Sequence, residues 1–217
     1  MIFDLDGTLV DTVETRIRAW LQVFEEVGLP ADRMHVARLI GADGKRLAKE
    51  VAEVAHKHLD DARAEAVDKR SGEIYDELNT NPRPIAGARP LLLALSKSTL
   101  PWAIATSSRR QQVGASVKAL KLAGEPRIID GSHVEHAKPA PDLLLLAADE
   151  LETPPHTCWY VGDATWDMLA ARAATMVGIG LPYGAVSRKD LLNSGAQVVS
   201  SHRGLHAELH RRGLVGT

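Results

Sequence analysis

The chain has 217 residues, 45% of them hydrophobic and 25% charged, enough to bury the core of one large domain or of a domain with an insert. Its 26 basic and 28 acidic residues give a formal net charge of −2, and only 4% of residues are aromatic. That balance offers neither the basic surface nor the stacking platforms that nucleic acid or an anionic membrane would call for.

Cys158 is the single cysteine, so no intramolecular disulfide can form, which suits a reducing cytoplasm. The N-terminus lacks a secretory pattern, and no apolar stretch approaches the ~18 residues needed to span a membrane.

Residues 1–3 are apolar and read as a short first strand. The spacing of Val13, Ile17, Trp20, Leu21, Phe24 and Val27 predicts an amphipathic helix over 13–28, ended by Gly28 and Pro30. Further helical pattern covers 45–58 and 60–78, with Gly41 and Gly44 between helices in "LIGADGKR". Residues 79–90, "NTNPRPIAGARP", read as a linker.

The pattern then changes. A helix over 88–97 leads to the apolar run "WAIAT" at 102–106, a helix over 110–121, and "PRIID". Another helix starts near Pro141, followed by "CWYVGD" at 158–163, a helix over 166–174 and "MVGIGL" at 176–181. A helix near 188–194, "AQVVS" at 196–200 and a last helix complete the chain. Short apolar strands alternating with helices predict an α/β fold with a parallel sheet covered on both faces. The expected organisation is a Rossmann-like core from 1–12 and 82–217, with an all-helical cap inserted over 13–81.

In such a sheet, ligands bind at the C-terminal ends of the strands. Four polar loci fall there: Asp4 and Asp6 after the first strand, Thr106 and Ser107 after "WAIA", Lys138 after "IIDGSHVEHA", and Asp163 with Asp167 after "CWYV". Each has a plain alternative. "DG" suits a turn; "TSSRR" suits a helix N-cap; Lys138 suits a solvated loop; Asp163 and Asp167 suit a helix start. A calcium loop counted from Asp4 fails, because Leu9 and Thr15 stand where glycine and glutamate are required.

Together the loci say more. Several carboxylates in one place repel one another unless a cation sits among them, and a hard oxygen set points to Mg²⁺. A lysine and hydroxyls facing the same place supply anion contacts. A carboxylate nucleophile amid these groups suits phosphoryl transfer.

In this set the chain resembles the haloacid dehalogenase superfamily of hydrolases, in the group with a helical cap inserted after the first motif. The resemblance rests on "DLDGTLVDT", Thr106, Lys138 in "KPAPD", and "GDATWD", in the family's order over residues 4–167. It implies Asp4 as nucleophile and Asp6 as general acid/base, with Thr106 holding the phosphoryl group and Lys138 offsetting charge. It also implies Mg²⁺ among Asp4, Asp6, Asp163 and Asp167, the last supporting metal and lysine. An acid at Asp6 separates phosphatases and phosphomutases from the dehalogenases themselves.

The implied activity is Mg²⁺-dependent hydrolysis of a small phosphorylated metabolite through an aspartyl-phosphate, resembling phosphoglycolate phosphatases. A β-phosphoglucomutase-like phosphomutase is the enzymatic alternative, and a non-catalytic binding protein of the same fold is the alternative from another class. Gly44, Lys45 and Arg46 in the cap loop, with Thr106 and Ser107, are the candidate substrate contacts. For the cap residues the plain alternative is a solvated helix start. Asp6 is expected to have a raised pKa, from neighbouring negative charge and partial burial. His133 and His136 read as surface loop residues, and Trp102 and Trp159 as core. Trp166 could pack under the cap or touch substrate.

Overall fold

A computed structural model describes residues 1–216. Six parallel strands form one sheet in the order β5-β4-β1-β6-β7-β8. They are β1 (Ile2–Phe3), β4 (Ala103–Ala105), β5 (Ile128–Ile129), β6 (Trp159–Gly162), β7 (Val177–Gly180) and β8 (Val198–Val199). The two-residue β1 is central. Ile2 pairs with Ala103 and Tyr160, and Phe3 with Ile104 and Val161. A strand this short holds because both residues are fully buried, one on each face.

That alternation organises the core. Phe3, Ile104, Val161 and Ile179 meet Leu91, Leu92 and Leu95 of α5 (Ala88–Ser96), Val113 of α6 (Arg110–Ala119), and Leu205 and Leu209 of α10 (His202–Arg211). Ile2, Ala103, Ala105 and Tyr160 meet Leu143, Leu144 and Ala147 of α7 (Asp142–Glu150), and Ala170 and Ala171 of α8 (Thr165–Ala173). A sheet covered this way reads as unbroken apolar runs, which is why the strands were recognisable despite their length. Helix α9 (Arg188–Asn193) adds Leu191 to a small cluster with Met168 and Val199.

Residues between the first strand and the rest form four helices: α1 (Val13–Glu26), α2 (Arg33–Leu39), α3 (Gly44–Val54) and α4 (Asp61–Leu78). They pack around their own apolar cluster, including Trp20, Phe24, Val36, Leu47, Val51 and Ile74. Burying each large side chain contributes about 1.5–3 kcal/mol, so this cluster holds the helical layer together. Two features depart from the sequence reading. Helix α2, seven residues started by an Asp32 side-chain cap, is too short for its periodicity to show. The expected linker contains β3 (Arg83–Pro84), paired antiparallel with β2 (Val10–Asp11). The chain therefore enters and leaves the helical layer through one narrow ribbon beside the first motif.

Candidate active site

The strand ends place the site. Asp4 follows β1 and its N–H donates to the Val161 carbonyl at 2.9 Å, extending the register by one residue. The chain then turns back: the N–H groups of Leu9 and Val10 both donate to the Leu5 carbonyl. Gly7 makes the turn with φ of +77°, and a Cβ there would lie 2.3 Å from Asp163 Oδ2. Only glycine meets both demands. Thr106 follows β4, Asp163 follows β6, and Gly184 after β7 also lets Asp163 approach, since a Cβ there would fall 2.0 Å from the same oxygen.

Asp4, Asp163 and Asp167 each offer a carboxylate oxygen within 4.8 Å of the others, and all three are buried. Lys138, 1% exposed, bridges two of them: its Nζ donates to Asp4 Oδ1 and Asp167 Oδ1, both at 2.7 Å. Tyr160 on β6 accepts a third bond from the same amine at 3.2 Å. Asp167 is otherwise committed, because its Oδ2 accepts the N–H groups of Asp163 and Ala164 at the start of α8. Among the described residues, Asp163 receives only the Thr8 hydroxyl, at 2.7 Å.

The electrostatics follow from that distribution. Burial opposes charge on Lys138, but Asp167 and Asp4 outweigh it and hold the amine well above its ordinary pKa. One lysine shared between two carboxylates does not offset burial at Asp4. Burial, with Asp167 and Asp6 adding, pushes Asp4 up to about 7 against the pull of Lys138. Burial and the charges of Asp167 and Asp4 push Asp163 well above the usual carboxylate range. Two buried carboxylates short of positive charge, with oxygen donors only, fit a hard divalent cation, which would reverse both shifts.

Asp6 differs from expectation on two counts. Its side chain is not among the three carboxylates whose oxygens lie within 4.8 Å of one another. Its carboxyl is held below its ordinary pKa rather than above it. Burial does oppose ionisation, but the Arg16 guanidinium and the hydroxyls of Ser108, Thr12 and Tyr75 outweigh burial. Thr12 Oγ1 donates to Oδ1 at 2.6 Å and Tyr75 Oη to the same oxygen at 2.9 Å. Arg16 Nη2 donates to Oδ2 at 3.0 Å, and the Ser108 hydroxyl also donates there. Arg16 and Tyr75 come from α1 and α4, so the helical layer grips a residue of the first motif.

Thr106 and Ser107 line a cavity of about 210 Å³ between sheet edge and helical layer, together with Asp4, Asp6, Lys138 and Asp163. The N-cap of α6 is Arg109, not the Ser or Thr expected from "TSSRR". That leaves Ser107 Oγ buried without a hydrogen-bond partner, a donor available to an anion in the cavity. Gly44 and Lys45 line the opposite wall.

Arg46 does not face this cavity. It turns to an outer groove, pairs with Glu50 at 2.6 Å, and sits over the Trp166 ring at 4.8 Å. The reason is helical geometry: Arg46 is one residue, about 100° of rotation, past Lys45 on α3. Trp166 packs under the helical layer, donating to the Arg38 carbonyl at 3.0 Å. His133 and His136 are exposed and line no part of the cavity. Trp102 and Trp159 pack half-buried against the sheet core.

Sequence reasoning missed Arg16, Tyr75, Ser108, Thr8 and Tyr160. Thr8 stood inside the first motif, and Tyr160 on an apolar strand with a hydroxyl that needs a partner. Arg16 stands mostly buried beside the apolar stripe of α1, without any local sign of its partner.

The family described as haloacid dehalogenase-like hydrolase matches residues 1–180. The chain belongs to that family. It is 31% identical over 188 residues to the phosphoglycolate phosphatase of Xanthomonas campestris pv. campestris (strain 8004), covering 85% of this chain and 83% of that one. It is 32% identical over 180 residues to the fructose-1-phosphate phosphatase of Escherichia coli (strain K12), covering 81% and 92%. A hydrolase from Pseudomonas syringae of solved structure superposes with a TM-score of 0.90 at 33% identity, covering 99% of this chain and 98% of that one. Among the described residues, no helix is long and apolar enough to cross a membrane.

Proposed function

We propose that this hydrolase is a Mg²⁺-dependent phosphatase of a small phosphorylated metabolite, acting through an aspartyl-phosphate on Asp4. One observation carries the reading: Asp4 is buried at a sheet edge between Lys138 and the carboxylates of Asp163 and Asp167, facing a cavity that also holds the unpartnered Ser107 hydroxyl. The names of the two phosphatase relatives support the substrate class.

Asp4 and Asp163 would hold the cation, with Asp167 bracing Lys138 and the loop behind them. The bound cation would neutralise the phosphoryl oxygens and keep Asp4 ionised. An oxygen of Asp4 attacks phosphorus while the bond from phosphorus to the leaving oxygen breaks. Lys138, Thr106 and Ser107 stabilise the transferring oxygens.

Asp6 gives the leaving oxygen a proton. It then takes one from the water that attacks phosphorus and breaks the bond to Asp4, releasing phosphate. In the arrangement seen here Asp6 is ionised. It takes up the proton from solvent when the leaving oxygen of the substrate displaces the Tyr75 hydroxyl from its Oδ1, Arg16 staying on Oδ2. The single free cysteine, Cys158, is buried and fits a cytoplasmic setting.

The reading is tested with p-nitrophenyl phosphate. Hydrolysis should require added Mg²⁺, stop with EDTA, and vanish in Asp4→Asn, whose amide is a poor nucleophile. Undiminished turnover in either case contradicts it.

A further inference from the structure

The relatives differ in what the phosphate is attached to, a carboxylate-bearing two-carbon acid or a neutral sugar, and the cavity wall bears on that difference. Seven carboxylates and four cations line the cavity. Every one of the four cations has a carboxylate partner. Lys138 pairs with Asp4 and Asp167. Arg16 pairs with Asp6 at 3.0 Å and sits over the Tyr75 ring, its Cζ 3.3 Å from the centroid. Arg109 pairs with Glu65 at 2.7 Å and Asp68 at 2.9 Å, and Lys45 lies 3.7 Å from Glu65.

The imbalance is built into the wall. Asp43 and Glu135 line the cavity with no cation within 4 Å among the described residues, Asp43 using only Oδ1 to accept the Arg46 N–H at the start of α3. Asp68 is admitted by a glycine: a Cβ on Gly44 would fall 1.8 Å from Asp68 Oδ1. Arg109 engages Oδ2 of Asp68, which leaves Oδ1 an acceptor toward Gly44. A second anionic group on the substrate would meet unpaired carboxylates and no free cation, and would be desolvated without compensation. Hydroxyl groups would instead find acceptors in Asp43, Asp68 and Glu135 and a donor in Gln112.

Resting on the phosphatase reading above, we propose that the leaving group is an uncharged polyol, a sugar. Esters carrying a second anion, whether a carboxylate or the further phosphate of a mutase-type bisphosphate, are disfavoured.

The test compares kcat/KM for a panel of hexose and pentose monophosphates with that for 2-phosphoglycolate and for fructose 1,6-bisphosphate, with p-nitrophenyl phosphate as reference. The best sugar monophosphate should exceed each competitor carrying a second anionic group at least tenfold. Asp68→Asn, which deletes one negative charge at nearly constant shape, should raise the 2-phosphoglycolate rate severalfold relative to p-nitrophenyl phosphate. Parity with, or preference for, either competitor overturns the proposal, as does an unmoved ratio in Asp68→Asn. Failure to hydrolyse p-nitrophenyl phosphate at all would instead remove the phosphatase reading on which it rests.

Discussion

The two walls of the cavity are built differently. On the sheet wall, Asp4, Lys138, Asp163 and Asp167 are each 5% exposed or less and come from the ends of two strands, one loop and the first turn of α8. On the helical wall, the side chains of Lys45 and Glu65 are nearly half exposed, as is Arg109 at the start of α6, which reaches across to Glu65. Ion pairs at such exposure contribute roughly 0.2–1 kcal/mol, so losing one costs little stability. Buried charges cannot be rearranged so cheaply, because each lost partner leaves a desolvated group. The difference places fixed chemistry on the sheet side and adjustable recognition on the helical side. Asp6 belongs to both, since it stands in the first motif but takes two of its four donors from α1 and α4.

A substitution on each side sharpens the contrast. Lys138→Ala should lower turnover of p-nitrophenyl phosphate by ~10²-fold or more, the scale of one lost preorganised contact. It should also cost about 3–5 kcal/mol of stability measured by urea unfolding in EDTA, since Asp4 and Asp167 lose their partner. Arg46→Ala, in the outer groove, should stay within twofold of the parent on every substrate in the same assay. Comparable losses in the two variants would erase the distinction between the walls.

A smaller effect comes from behind the sheet wall. His202 at the start of α10 is fully buried, stacked on Tyr183, with its ring toward the backbone of Ala86 and of Thr8, the residue that holds Asp163. Burial pushes its pKa from 6.5 down to about 4, against the pull of those backbone groups. The unfolded chain therefore binds this proton more readily than the folded one. Stability is full above pH 6.5 and falls as the pH drops from 6.5 toward 4, by roughly 3 kcal/mol in all. Subtracting the urea stability of His202→Phe from that of the parent, pH by pH, should recover this slope. A flat difference across the window would mean that folding leaves the pKa of His202 unshifted.

The sheet wall was legible because strand-end geometry gathers residues that stand next to recognisable apolar runs. Asp4, Thr106, Lys138 and Asp163 each follow such a run, so their convergence needed only the parallel-sheet rule. The state of Asp6 was not legible. The nearest ionisable residues in sequence, Asp4 and Asp11, are acids and suggest a raised pKa, whereas the decisive groups, Arg16, Tyr75 and Ser108, stand 10, 69 and 102 residues away. Arg46 was misplaced for a simpler reason. A loop sequence shows that two cations are near a site, but the helix phase decides which one enters it. The β2–β3 ribbon escaped notice because Pro84 and its polar neighbours read as a linker, and two-residue strands carry no periodicity.

The central claim is that Asp4 takes the phosphoryl group and Asp6 removes it, and the variant Asp6→Asn separates those steps. Nitrophenolate needs no proton to leave, so the first step survives, whereas the attacking water loses its base. Rapid mixing of Asp6→Asn with p-nitrophenyl phosphate and Mg²⁺ should give a burst of at most one nitrophenolate per enzyme. Mass spectrometry after acid quench should then find phosphate on Asp4. Steady turnover at the parent rate, with Asp4 unmodified, would contradict the account.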